Sequence, residues 1–449
     1  MKKFTRMTAV VMAVALLALA CVGCGGNSGN DTIMIGCTGP LTGDASSYGI
    51  SVQHGAQQAV DEINAAGGLN GIKLSFEMKD DKATAEDAST GYDALFDAGM
   101  KISLGSVTSA SCKAFADKAV QDNVFAITPS ASEQAIIEKG DNIFRVCFGD
   151  PDQGTLAAKE LTKTYTKIGA IYDTSDSYST GIYTAFEAEM KSEGKEFKVQ
   201  TFDKENNKDF STQVEALKDC EVIFMPFYYT EAGLVAKACV AKGVTAELFG
   251  CDGFDGIKTQ LDDTVTNKIR YITPFDAESS DSKVSTFVSS YKAKFGANPD
   301  QFAADAYDAV YVIFEGMKAA GVDSASISAS DLCNKVKAAI TDKSFTYTGT
   351  TGKMVAEATG LDITRYMSGS QGGDQQISAR IACDEIDLLL FFRDPMTVKA
   401  HEPNESDMFR LCDMRNIPVA TNIATAEVLI HGLERGDLDW RNIVNPGNR

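Results

Sequence analysis

The sequence is short of the groups that nucleic-acid binding and metal coordination require. It sets 42 Lys and Arg against 62 Asp and Glu, a formal net charge of −20. Phosphate backbones are held by clustered cations, so this balance excludes a nucleic-acid protein. Histidine occurs three times and tryptophan once. The nine cysteines beyond Cys24 are scattered singly, with no Cys-x-x-Cys pair and no His at zinc-ligand spacing. No structural metal and no cofactor is expected, and most of these thiols read as small buried hydrophobes. No segment after Ala20 is long and apolar enough to span a bilayer. What is plentiful is core material. Of 449 residues 44% are hydrophobic and only 23% charged, enough for two or three domains and too apolar for wholesale disorder.

Arginine is nearly missing from most of the chain. Residues 1–354 carry 30 Lys and 3 Arg (Arg6, Arg145, Arg270), whereas residues 355–449 carry 1 Lys (Lys399) and 8 Arg. His401, His431 and Trp440 lie in the same tail. A single domain rarely changes its basic residue so abruptly. The shift marks a boundary between two units of different origin.

The chain opens with Lys2, Lys3 and Arg6, followed by an apolar run from Met7 to Ala20. That run is short for a membrane span and fits the core of a signal peptide. Small residues before Cys21 and a Gly/Asn/Ser tether after Cys24 resemble a bacterial lipoprotein signal. The resemblance implies a diacylated Cys21 or Cys24. The chain would be exported and anchored at the outer face of the cytoplasmic membrane, with residues 1–24 as signal and 25–31 as tether.

From residue 31 to about 343, short apolar runs alternate with amphipathic stretches. Strands are expected at Thr32–Cys37, Lys73–Met78, Ile102–Leu104, Val124–Ile127, Ile168–Tyr172, Val222–Met225 and Leu248–Gly250. Helices are expected at Val52–Ala65, ending at Gly67-Gly68, and at Ala85–Ala98. This repetition predicts an α/β fold of parallel sheets flanked by helices. Such sheets bind ligands beyond the carboxyl ends of their strands. Polar groups stand at those places. Gly105–Ser111 follows a strand and opens a helix, whose unpaired N–H groups suit a carboxylate. Thr128–Ser132 adds hydroxyls, and Gly250-Cys251-Asp252-Gly253 adds an acid able to meet an ammonium. Together they suit a free α-amino acid, although each alone also fits ordinary capping and turn chemistry.

The string Gly39-Pro40-Leu41-Thr42-Gly43 with Tyr48-Gly49, followed by Ala59–Gly71, is similar to the start of branched-chain amino-acid binding proteins. These are extracytoplasmic receptors of ABC importers with the two-lobe type I periplasmic-binding fold. The resemblance continues through Asp80-Asp81, Gly105–Ser111, Ile127–Ser132, Lys208–Ser211 and Gly250–Gly253. It implies an amino-acid ligand, an ABC transporter permease as partner, and two lobes that close on the ligand. Residues 32–346 would form that domain, the N-lobe from about 32–150 plus 280–346 and the C-lobe from about 150–280. By resemblance, Ser109, Ser130, Ala131 and Ser132 take the carboxylate side, Asp252 the ammonium, and Tyr48, Tyr178 and Tyr228 form aromatic walls. Asp252 is shorter by one methylene than the Glu often seen there, and Ser132 stands where Thr is common.

Residues 347–449 break the pattern. The segment Tyr347–Met354 would lead into the receptor's closing strands, but Gly372-Gly373-Asp374-Gln375-Gln376 and Phe391-Phe392-Arg393-Asp394-Pro395 follow instead. This run resembles methylglyoxal synthase, which converts dihydroxyacetone phosphate to methylglyoxal and phosphate. Thr348, Thr350 and Thr351, with Gly349 and Gly352, make a hydroxyl- and amide-rich turn able to hold phosphate. The resemblance implies Gly369 at the phosphate, Asp374 as the base, and Asp394 and His401 as further active-site groups. Asn404 stands where an Asp is often found. The family's leading strand, helix and His-Asp-Lys type motif are missing, and the only His before Thr348 is His54. The expected product is a two-lobe receptor lacking its closing strands, joined to a partial α/β synthase-like domain. The join falls in a string native to both families, as a recombination or an assembly join would leave it. An amino-acid receptor, a synthase acting on dihydroxyacetone phosphate, and an inactive chimera remain as readings.

Overall fold

The computed structural model describes residues 32–342, 345, 347–351, 377, 380, 381, 386–391 and 405–434. Cys21, Cys24, Gly369, Asp374, Asp394 and His401 lie outside these residues. The chain divides into two compact units between Gly360 and Leu361.

The first unit holds two sheets. In the first, β1 (Thr32–Gly39), β2 (Lys73–Asp80), β3 (Ile102–Ser106), β4 (Ala126–Thr128) and β5 (Ile143–Arg145) run parallel in the order β2-β1-β3-β4-β5. The second contains β6 (Ile168–Asp173), β7 (Lys198–Phe202), β8 (Val222–Met225), β9 (Glu247–Gly250) and β10 (Ile269–Tyr271). Its strands are also parallel, in the order β10-β9-β8-β6-β7. Central strands such as β3 and β8 are buried at every position. Helices must therefore cover both faces, which explains the unbroken apolar run Val-Ile-Phe-Met of β8.

The first helix, α1 (Ser46–Ala65), buries Tyr48, Val52, Ala56, Ala59, Val60 and Ile63, a stripe at helical spacing. It starts six residues before the expected Val52. Gly49 explains the extension, because a Cβ there would lie 2.0 Å from the Pro40 carbonyl oxygen. The missing side chain lets the first turn rest on that backbone, and the contact outweighs the weak helix propensity of Ser46-Ser47. The helix ends as expected at Gly67 and Gly68, both at positive φ.

Further along, α2 (Ala85–Asp97), α3 (Ser109–Gln121), α4 (Asp150–Thr162), α5 (Ser177–Ser192) and α6 (Tyr229–Lys242) connect the strands. The unit closes with α7 (Ser282–Phe295), α8 (Gln301–Ala319) and α9 (Ala329–Ile340). Helix α8 packs along α1 at close range, since a Cβ on Gly55 would sit 2.0 Å from the Ala303 carbonyl oxygen. The eight described cysteines are all buried thiols.

In the second unit, β11 (Leu389–Leu390), α10 (Glu405–Met414), β12 (Val419–Ala420) and α11 (Ile423–Glu434) follow in sequence. The two short strands pair in parallel, and Ile381, Leu389, Met408, Cys412 and Ile417 form their core. A parallel pair joined through a helix is a small α/β unit.

Candidate functional site

Six cleft residues follow the carboxyl ends of strands. Tyr48 comes after β1, Ser109 after β3, Ser130 after β4, Tyr178 after β6, Tyr228 after β8 and Asp252 after β9. The fold gathers these six around one pocket, which Val107, Thr108, Gly253 and Phe302 complete. Its free space is about 10 Å3, roughly room for one water.

Asp252 is the one carboxylate lining this pocket. It is 5% exposed, and its Oδ1 accepts hydrogen bonds from the Tyr178 hydroxyl at 2.5 Å and the Gly253 N–H at 2.9 Å. The Gln153 Oε1 atom accepts the Asp252 N–H at 3.1 Å, and the Gln301 amide donates to the Asp252 carbonyl at 2.6 Å. Burial pushes the carboxyl up to about 6, against the lowering effect of the Tyr178 and Gln153 contacts. A cation beside it would relieve that desolvation.

Opposite lies the start of α3. Thr108 is its N-cap in extended conformation, and its side chain does not cap the helix. The first-turn N–H groups therefore have no partners within their own helix. Ser109 contributes a buried hydroxyl, and Ser130 donates its own to the Val107 carbonyl at 2.8 Å. Ala131 and Ser132 stand outside the pocket lining. The Ala131 N–H is taken by Thr128 Oγ1 at 3.0 Å. Ser132 Oγ is buried with no partner among the described residues.

Aromatic rings make the remaining wall. Tyr178 stacks on Tyr228 at 5.0 Å, and Tyr48 stacks on Phe302 at 4.2 Å. The Tyr48 hydroxyl donates to the Gly253 carbonyl and accepts the Tyr229 N–H at 3.3 Å, so it bridges the cleft. At the rim, Thr230 donates to the Asp44 carbonyl at 2.8 Å, and Lys208 approaches the Asp44 carboxylate at 3.4 Å. Asp80 ties down the β1 loop through the Leu41 N–H at 2.9 Å and the Thr42 hydroxyl at 2.5 Å. Phe302 escaped the sequence reading because it arrives from a distant helix start and carries no local motif.

Of the tail residues, Thr348, Thr350 and Thr351 are described, and they sit with the first unit. His54 is partly buried on α1, stacked on Phe295 at 4.0 Å with Tyr291 at 3.4 Å, as a packing residue would be.

Comparison with known proteins agrees with both halves. The periplasmic binding protein family matches residues 32–364, and the MGS-like domain matches residues 344–421. Among solved structures, the chain resembles the branched-chain amino acid transporter substrate binding protein LivJ from Streptococcus pneumoniae in complex with isoleucine. The TM-score is 0.65 at 27% identity, covering 73% of this chain and 92% of that one. A leucine binding protein from Thermotoga maritima gives 0.63 at 23% identity, covering 72% and 90%, and shows the shared fold. Methylglyoxal synthase of Caldicellulosiruptor saccharolyticus is 59% identical over 99 residues, 22% of this chain and 70% of that enzyme. The chain thus belongs to the periplasmic binding protein family through residues 32–364, and its C-terminal segment belongs with the methylglyoxal synthases.

Proposed function

We propose that the protein binds a branched-chain or similar aliphatic α-amino acid outside the cytoplasm and delivers it to the permease of an ABC importer. The observation that carries this reading is the pocket's polarity. One buried carboxylate, Asp252, lies across from the hydroxyls and helix start at Thr108, Ser109 and Ser130, with aromatic walls between them. A zwitterion with an apolar side chain matches that arrangement. Its ammonium meets Asp252, its carboxylate the N–H and hydroxyl groups of α3, and its side chain Tyr48, Val107 and Phe302. Similarity to a structure solved with isoleucine supports the ligand class. Cys21 or Cys24 provides the lipid anchor, and residues 32–346 form the receptor domain, with lobes of about 32–150 plus 280–346 and about 150–280. The test is the melting temperature of the mature chain with leucine, isoleucine or valine, each of which raises it. Absence of a shift with every proteinogenic amino acid would overturn the assignment.

Sequence identity of 59% to a synthase over 99 residues supports a second reading for residues 347–449. There Asp374 is the base on dihydroxyacetone phosphate, with Asp394 and His401 beside it and Thr348, Thr350, Thr351 and Gly369 at the phosphate. Phosphate release abolished by Asp374→Asn would support it, and release unchanged by that substitution would reject it.

A further inference from the structure

The Thr348–Thr351 turn is claimed by both families, and the structure shows what it holds in this chain. Asp308, on α8 and 1% exposed, points its carboxylate into the turn. Its Oδ1 accepts the Thr350 N–H at 2.9 Å and the Tyr347 hydroxyl at 3.1 Å. Its Oδ2 accepts the Thr351 N–H at 2.8 Å and the Thr351 hydroxyl at 2.7 Å. Successive backbone N–H groups with a hydroxyl beside them are the usual equipment of an anion site. Gly349 leaves the entrance open to the carboxylate, because a Cβ there would lie 2.3 Å from Asp308. Thr350 Oγ1 is buried with no partner among the described residues, one polar atom more than a carboxylate engages.

We infer that Asp308 fills the anion site of the Thr348–Thr351 turn from within, so that a phosphate group and the receptor's own packing compete for the same donors. A carboxylate brings two oxygens and uses both. Phosphate needs the same two amides and the Thr351 hydroxyl, and it is too large to share the space with Asp308. The turn is therefore a strap that fastens the end of the receptor to α8. It becomes a phosphate loop only after that strap is released. The inference rests on the phosphate role that the synthase reading gives to Thr348, Thr350 and Thr351.

Nuclear magnetic resonance of the full chain labelled with 15N-threonine tests the competition, with inorganic phosphate as probe. The amides of Thr350 and Thr351 stay fixed as phosphate is added to the unsubstituted protein. In Asp308→Ala both move and saturate. Phosphate-dependent shifts of both amides in the unsubstituted chain would overturn the inference. So would an unresponsive Asp308→Ala that retains the amide spectrum of the folded receptor. Asp308→Asn covers the case in which the alanine variant does not fold. The two amides bond different oxygens, and asparagine replaces one of those oxygens with an NH2 group that cannot accept, so deuterium exchange at Thr350 or Thr351 quickens by about tenfold or more. Unchanged exchange at both would also overturn it. Because the probe is phosphate alone, these outcomes are independent of amino-acid binding and of whether Asp374 performs catalysis.

Discussion

The Tyr178 hydroxyl lies 2.5 Å from Asp252 Oδ1, and both side chains are buried at the floor of the cleft. This bond aims the carboxylate, which in the proposed receptor meets the ligand's ammonium. Asp252→Asn keeps the shape and removes the charge. It is expected to weaken amino-acid binding by about thirtyfold or more, the cost of leaving a buried ammonium without its partner. Calorimetric titration with leucine, isoleucine and valine measures the loss. Equal affinity in the variant would show that Asp252 does not meet the ammonium.

Acid should weaken the same contact. Burial raises Asp252 to about 6, above the usual value of about 3.9 for an unfolded chain. The folded protein then holds a proton that the unfolded chain has lost, so this group's contribution to stability falls as pH rises from about 4 to about 6. An ammonium ligand favours the ionised form, and below about 6 it must displace that proton. Affinity is expected to drop about fivefold between pH 6 and pH 5. Titrations across this range check the slope, which Asp252→Asn should flatten.

Tyr48 tests closure separately from charge. Its hydroxyl joins α1 to the Gly253 carbonyl and the Tyr229 N–H across the cleft, while its ring rests on Phe302. Tyr48→Phe keeps the ring and deletes the bridge. A lost buried hydrogen bond costs about 0.5–1.5 kcal/mol, with a further penalty for the stranded Gly253 carbonyl. Affinity is expected to fall by about tenfold through faster ligand release, read from stopped-flow dissociation rates. Release as slow as in the unsubstituted protein would mean that this bond does not latch the lobes.

The sequence exposed what depends on local pattern. The central strand β8 appears as an apolar run because both of its faces are covered. In the two five-stranded sheets the three strands it missed, Ile143–Arg145, Lys198–Phe202 and Ile269–Tyr271, all lie at edges. Edge positions such as those of Gln200 and Arg270 are only half-buried and tolerate polar residues, so their periodicity is weak. Six of the eight expected ligand residues line one pocket because they sit in motifs at strand ends. Phe302 and Gly253 join them through tertiary contact, which no local spacing encodes. The Asp308 contact was hidden for the same reason, since 42 residues separate it from Thr350.

Gly55 links packing to the site. A Cβ there would lie 2.0 Å from the Ala303 carbonyl oxygen, which is backbone and cannot swing aside. Gly55→Ala must therefore push α1 away from α8, at a cost of about 1–3 kcal/mol. Phe302 precedes Ala303 on α8, and Tyr48 lies two helical turns before Gly55 on α1. The displacement should pull the stacked rings apart. The melting temperature is expected to fall by a few degrees and amino-acid affinity to fall with it, whereas Asp252→Asn lowers affinity without lowering the melting temperature. Thermal melts with and without ligand distinguish the two patterns. A Gly55→Ala protein with undiminished stability would show that the helices can separate without cost, and the aromatic wall would then not depend on their close approach.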